Sequence, residues 1–295
     1  MKYFRICAMI FSAIILYSIS ATPRDLPAVV SVEWLSQNLD RSNLVVIDIR
    51  SDELFKKSHI PGSVHAPFPR WIRQDEQRML ELPGRDSLRL LLGSLGITDE
   101  SHVVIVNRTD SDWNRADATR VAWTCLVSGV KTVSVLDGGY NHWLKLKKPV
   151  TDVIVSPVGV NYRGMFNTDT LILKNDVLER IGKSVLIDAR LPEDYFGITS
   201  DKGHIKSAMN LPGPWAYKAE GTFRDTEELR QMVSGLIGED RHQEIIVYCQ
   251  VGGFASTWWF ILSKILGYQN VKLYDGSFEE WSKDPDLPVS KFRWE

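Results

Sequence analysis

Cysteine is scarce in this chain, three in 295 residues, and what is missing around those three narrows the field. Only Cys125 and Cys249 lie beyond the first twenty residues, so at most one disulfide is available and a cysteine-stapled scaffold is excluded. The six histidines show no ligand spacing with the cysteines, so no metal site is expected. No glycine-rich phosphate cradle occurs either, and no cofactor is expected. A charge bias is also absent. With 35 Lys plus Arg against 37 Asp plus Glu, the chain has no overall field to attract nucleic acid or an acidic membrane. The ten tryptophans are scattered without interleaved basic runs, which suits core packing better than base stacking.

What is present describes a globular, exported protein. The length suits two ordinary domains, and 44% hydrophobic with 24% charged residues allows proper cores. Residues 1–20 follow a different rule: Lys2 and Arg5 precede the apolar run Ile6 to Tyr17, and Ser18-Ile19-Ser20 supplies small residues before Ala21. That pattern predicts a secretory signal peptide, with an uncleaved N-terminal anchor as the alternative. Either way the folded part is expected outside the cytosol, in the periplasm or another extracytoplasmic space. No other membrane contact is expected.

The chemistry concentrates at Ile245-Ile246-Val247-Tyr248-Cys249-Gln250-Val251-Gly252-Gly253-Phe254. The first four residues read as a buried strand, the glycines break it, and Ala255 to Leu266 reads as a helix. Cys249 is thus placed at the carboxyl end of a strand, facing a helix N-terminus whose free N–H groups favour a thiolate. The dipole alone is worth only about 0.3–1 kcal/mol, so the loop's own N–H groups have to converge on the sulfur as well. The competing reading is a buried, inert core cysteine, which is the expectation for Cys125 inside Val121 to Val127.

Two halves of one design follow in order. Leu44 to Arg50 is echoed by Ser184 to Arg190, His59 to Pro67 by His204 to Pro212, and Leu95-Gly96-Ile97 with its following strand by Leu236-Ile237-Gly238 with Glu244 to Cys249. Leu136 to Tyr140 with Trp143 is echoed by Tyr274 to Phe278 with Trp281. Four ordered matches at offsets of 138 to 145 residues imply a tandem duplication. In the first copy, β-rich runs (Leu44 to Ile49, Val103 to Val106, Thr132 to Leu136) alternate with helical stretches (Ser31 to Leu39, Ser87 to Leu95, Arg115 to Ser128). The expected fold class is therefore α/β: two tandem domains, each a mainly parallel sheet flanked by helices on both faces. The expected boundaries are residues 21–148, a linker over 149–160, and 161–295. Asn107 occupies the position of Cys249 in the first copy, which is expected to play structural and site-walling roles.

With these motifs the chain resembles the tandem-domain rhodanese family of sulfurtransferases. The segment Val271 to Trp281 looks like the family's C-terminal signature, and Phe55 with His59-Ile60-Pro61-Gly62 like its N-terminal one. The resemblance implies a catalytic Cys249 that becomes a persulfide, and a substrate-binding cradle of Gln250, Val251, Gly252, Gly253 and Phe254. It also implies that Arg190 contacts a small anionic sulfur donor, unless that arginine instead pairs with Glu193 or Asp194. His204 matches a histidine that holds a turn. Rhodanese proper carries Arg and Lys directly after the cysteine, and mercaptopyruvate enzymes carry Gly and Ser. Gln250 and Val251 match neither, and Tyr195-Phe196-Gly197 fills the region of a second arginine found in the latter. The implied activity moves sulfur from thiosulfate, or less readily 3-mercaptopyruvate, to cyanide or a thiol. The alternative is a non-catalytic exported persulfide carrier or interaction module. The cell-cycle phosphatases share the fold, but residues 250–257 contain no Arg or Lys to clamp a phosphate.

Overall fold

Alternation of side chains decides how each sheet is built. In a computed structural model that describes residues 26–74 and 78–294, the first copy contains β1 (Val29–Val30), β2 (Leu44–Asp48), β3 (Val64–His65), β4 (His102–Val106) and β5 (Thr132–Leu136), in the order β1-β5-β4-β2-β3. All four pairings are parallel. Val103 and Ile105 point into one core and Val104 and Val106 into another, so β4 is apolar on both faces, as a covered parallel sheet requires. One face is covered by α1 (Val32–Asn38) and α5 (Gly139–Lys145), the other by α3 (Arg85–Ser94) and α4 (Asp112–Val127). The short α2 (Asp52–Lys57) follows β2. Strands β2, β4 and β5 and helices α1, α3 and α4 fall within a few residues of where the sequence predicts them, whereas the sequence does not predict the two-residue edge strands β1 and β3.

The second copy repeats the plan with β6 (Leu171–Ile172), β7 (Val185–Asp188), β9 (Ala208–Asn210), β10 (Glu244–Tyr248) and β11 (Asn270–Tyr274), in the order β6-β11-β10-β7-β9 and again all parallel. A small antiparallel pair, β8 (His204–Ile205) with β12 (Val289–Ser290), is added at the side. Its helices are α6 (Lys174–Arg180), α7 (Pro192–Tyr195), α8 (Thr226–Ile237), α9 (Gly253–Phe260) and α10 (Ser277–Trp281). The segment joining the copies is extended and lies along the first one: Thr151 bridges to His59, Val160 N–H donates to Gly93 O at 2.9 Å, and Asn167 N–H donates to Val127 O at 2.8 Å.

The helix predicted from Ala255 to Leu266 requires correction. It starts two residues earlier, at Gly253, and after Phe260 it widens to a π-turn over Ile261–Ile265. Leu266 N–H reaches back five residues to Ile261 O at 2.8 Å. The run is mostly apolar, with Ser263 and Lys264 together in its last turn, so its hydropathy carries no sign of the extra residue per turn. One core is continuous across both copies, joining α4 residues such as Ala116 and Ala122 to Phe254, Ala255 and Trp258 of α9. Among the described residues no helix is long and apolar enough to cross a membrane. The predicted signal segment lies outside the described residues.

Candidate active site

Strand β10 ends at Tyr248, so Cys249 is the first residue past the carboxyl edge of the sheet, where ligands bind in open α/β folds. The next strand end fastens it there. Cys249 N–H donates to Ser277 Oγ at 3.2 Å, Cys249 O accepts from Phe278 N–H at 2.9 Å, and Gln250 O accepts from Glu279 N–H at 2.9 Å. Ser277 holds a left-handed φ of 51°, strain of the kind found where a site is over-determined by its surroundings. The loop then turns back over the sulfur. Gly252 N–H donates to Cys249 Sγ at 3.1 Å, and the N–H groups of Val251 and Ala255 also act on it in favour of the thiolate. Gly252 can do this because it adopts φ 84°, a conformation open to glycine at little cost.

Two effects oppose each other at this sulfur. Cys249 is fully buried, and burial pushes its thiol up while the three N–H groups pull it down; Asp188 adds a smaller upward push. The net direction is up. Cys125 is equally buried and its thiol is also pushed up, with no polar group to compensate, as expected of a core cysteine. In the first copy Asn107 sits where Cys249 does: its O accepts Tyr140 N–H at 2.8 Å, matching the Phe278 bond, while its Nδ2 donates to Asn114 O at 2.7 Å. The backbone frame is thus duplicated, and only one copy carries a cysteine at this position.

The predicted site residues divide in two. Gln250 is exposed, and with Phe254 and Arg190 it lines a cleft of 590 Å³ whose other wall is Asp110 to Trp113 and Arg115 of the first domain. Phe254 stacks on Trp113 with ring centroids 4.6 Å apart. Val251, Gly252 and Gly253 are buried around the sulfur. Arg190 is 2% exposed and bound to Asp188 in a bidentate pair, with Nη2 also donating to Gly203 O at 2.8 Å. Burial works against its charge, and Asp188 restores it. Its partner is therefore Asp188 on its own strand, neither Glu193 nor Asp194. Arg50 makes the same pair with Asp48 in the copy that has no cysteine, which points to a fold-holding role for the pair. His204 Nδ1 lies 2.9 Å from Tyr195 O and its ring stacks on Tyr195, as His59 does with Phe55 O and ring; both hold turns.

Two residues that sequence reasoning passed over also belong here. Arg120 of α4 is fully buried and reaches across to Asp275, just after β11. Its only sequence signal is a lone cation at the head of an apolar run.

A sequence profile described as a rhodanese-like domain matches residues 31–146 and 173–284. The chain belongs to the rhodanese-like family. This rhodanese-like chain is 29% identical over 280 residues to the sulfur carrier protein TtuD of Thermus thermophilus, covering 89% of this chain and 96% of the relative. It is 30% identical over 275 residues to a putative thiosulfate sulfurtransferase of Mycobacterium leprae, covering 88% and 96%. The crystal structure of SseA from Escherichia coli, described with the rhodanese fold of 3-mercaptopyruvate sulfotransferases, superposes with TM-score 0.75 at 25% identity, covering 86% of this chain and 99% of that one. Two rhodanese-like domains in tandem are thus the architecture shared with these sulfurtransferase relatives.

Proposed function

We propose that the protein moves sulfane sulfur through a Cys249 persulfide. The Cys249 thiolate attacks the outer sulfur of thiosulfate, a new S–S bond forms, and the old one breaks with its electron pair leaving on sulfite. A thiol or cyanide then attacks the outer sulfur of the persulfide and regenerates the thiolate. With 3-mercaptopyruvate the leaving group is the enolate of pyruvate. The observation that carries this reading is the ring of loop N–H groups on Cys249 Sγ, which holds a persulfide anion as well as a thiolate. Thiosulfate is our preferred donor, a choice the name of the Mycobacterium leprae relative supports, and the SseA neighbour keeps 3-mercaptopyruvate beside it. The basic-then-apolar N-terminal segment supports export, with the mature chain starting near Ala21.

A second reading has one observation in its favour. Cys249 is fully enclosed with its thiol pushed up, which suits a residue that stores persulfide for a partner protein, and the Thermus thermophilus relative is named a sulfur carrier. Steady-state turnover separates the two. An enzyme turns over thiosulfate and cyanide many times per Cys249, at a rate that rises with pH through neutrality because the thiol titrates above its ordinary value, and Cys249→Ser abolishes it with the fold intact. A carrier accepts one sulfur and stops; turnover surviving in Cys249→Ser overturns both readings.

A further inference from the structure

The two halves meet about a pseudo-two-fold axis. Thr119 Oγ1 of α4 and Thr257 Oγ1 of α9 lie 3.1 Å apart, and their offset of 138 residues is also that of Asp137 and Asp275. Those two aspartates are used reciprocally: Asp137 accepts Phe223 N–H from the second domain at 2.9 Å, and Asp275 accepts Leu82 N–H from the first at 2.8 Å. One feature breaks the symmetry. The position equivalent to Arg120 is Trp258, whose indole N–H donates to Pro212 O at 3.0 Å. Among the described residues, the guanidinium at this pair of positions goes to the half that carries the cysteine.

That guanidinium lies directly beneath the cysteine loop. Nη1 is bound to Asp275 Oδ1 and Nη2 to Leu80 O, the group stands over the Trp123 ring at 4.7 Å, and Nε is buried with no hydrogen-bond partner among the described residues. A Cβ placed on Gly252 would come within 2.8 Å of Nη1 and 2.9 Å of Asp275 Oδ1. Gly252 therefore stands between the sulfur, which its N–H faces, and the Arg120–Asp275 pair behind it.

We propose that Arg120 is a positioning residue lent by the first domain to the second domain's loop, where it holds Gly252 N–H on Cys249 Sγ and supplies the positive charge that residues 250–257 lack. This rests on Cys249 as the sulfur-bearing residue. Of the other charges nearby, Asp188 at the end of β7 acts on the sulfur and is paired with Arg190, while Glu81, Arg78 and Glu280 surround Arg120 and Asp275. Arg190 offsets part of the charge of Asp188, whose remaining effect on the thiol is upward. Arg120 and Asp275 are then an opposed pair whose members act on the thiolate with opposite sign.

The test uses the full chain and needs no sulfur donor. The ultraviolet absorbance of the Cys249 thiolate is titrated against pH, as the difference from Cys249→Ser. Arg120→Met leaves Asp275 unbalanced and is expected to raise the midpoint by about one unit, the effect of a neighbouring charge. Asp275→Asn leaves Arg120 unbalanced and is expected to lower it, and Arg120→Lys is expected to fall between wild type and Arg120→Met. Thermal melts identify any variant that does not fold; if Arg120→Met is lost in this way, Asp275→Asn still has to lower the midpoint. Arg120→Met and Asp275→Asn shifting it in the same direction, or Asp275→Asn leaving it unmoved, overturns the proposal. Failure of the protein to take up sulfur leaves these midpoints as they are and bears on the proposed function alone.

Discussion

At the scale of single residues, charge and burial conflict at Cys249 and at Asp117 and are resolved differently. Cys249 keeps its conflict because three N–H groups face the sulfur. Asp117, on α4 and half-buried, has no such help, and burial alone pushes its carboxyl up to about 7. The sign follows from linkage. A carboxyl that titrates higher in the folded state than in the unfolded one adds stability that is complete below its unfolded value of 3.8 and is lost as pH rises through about 7. Asp117→Asn is therefore expected to raise stability by about 1–2 kcal/mol near pH ~8, less than the ~1.4 kcal/mol per unit of a fully enclosed group. It should change nothing near pH ~2, well below the unfolded value of 3.8, where the acid is neutral in both states. Chemical denaturation at the two pH values checks this; an equal gain at both would assign the effect to packing.

At the scale of elements, the cysteine loop and α9 depend on one backbone conformation. At Gly252 both φ 84° and the contacts of an added Cβ with Arg120 and Asp275 forbid a side chain. Gly252→Ala is expected to cost about 1–3 kcal/mol in stability and to slow sulfur uptake by about tenfold or more, the equivalent of ~1.4 kcal/mol in the barrier. Gly235 is the contrast. It lies in α8 with open space where a Cβ would go, so Gly235→Ala is expected to stabilise by about 0.4–1 kcal/mol with uptake unchanged. Melting curves and single-turnover rates of the two variants read both effects. Much of this scale was legible in the sequence. β-rich runs and glycine breaks located β2, β4, β5 and the Cys249 turn because period and turn chemistry are local properties. The π-turn was not legible, since a mostly apolar run with Ser263 and Lys264 side by side looks the same at either pitch. Nor was the pairing of Arg190 with Asp188, because a two-residue spacing reads as a strand alternation until the chain bends past Asp188.

At the scale of the whole molecule, the duplication was legible and its consequence was not. Ordered repeats at a nearly constant offset announce two copies, yet nothing local says that α4 and α9 pack together, that Trp113 covers Phe254, or that Arg120 crosses to Asp275. Such contacts join residues more than a hundred positions apart, and only the docked pair of domains brings them together. The first domain therefore walls the cleft beside the second domain's cysteine loop. The most direct measurement of the central claim is the intact mass of the purified protein before and after thiosulfate, separately after 3-mercaptopyruvate, and again after cyanide. The account predicts a gain of one sulfur with at least one donor, removal of that sulfur by cyanide, and no gain in Cys249→Ala. A wild-type protein that gains no sulfur from either donor, or a Cys249→Ala variant that gains one, would contradict it.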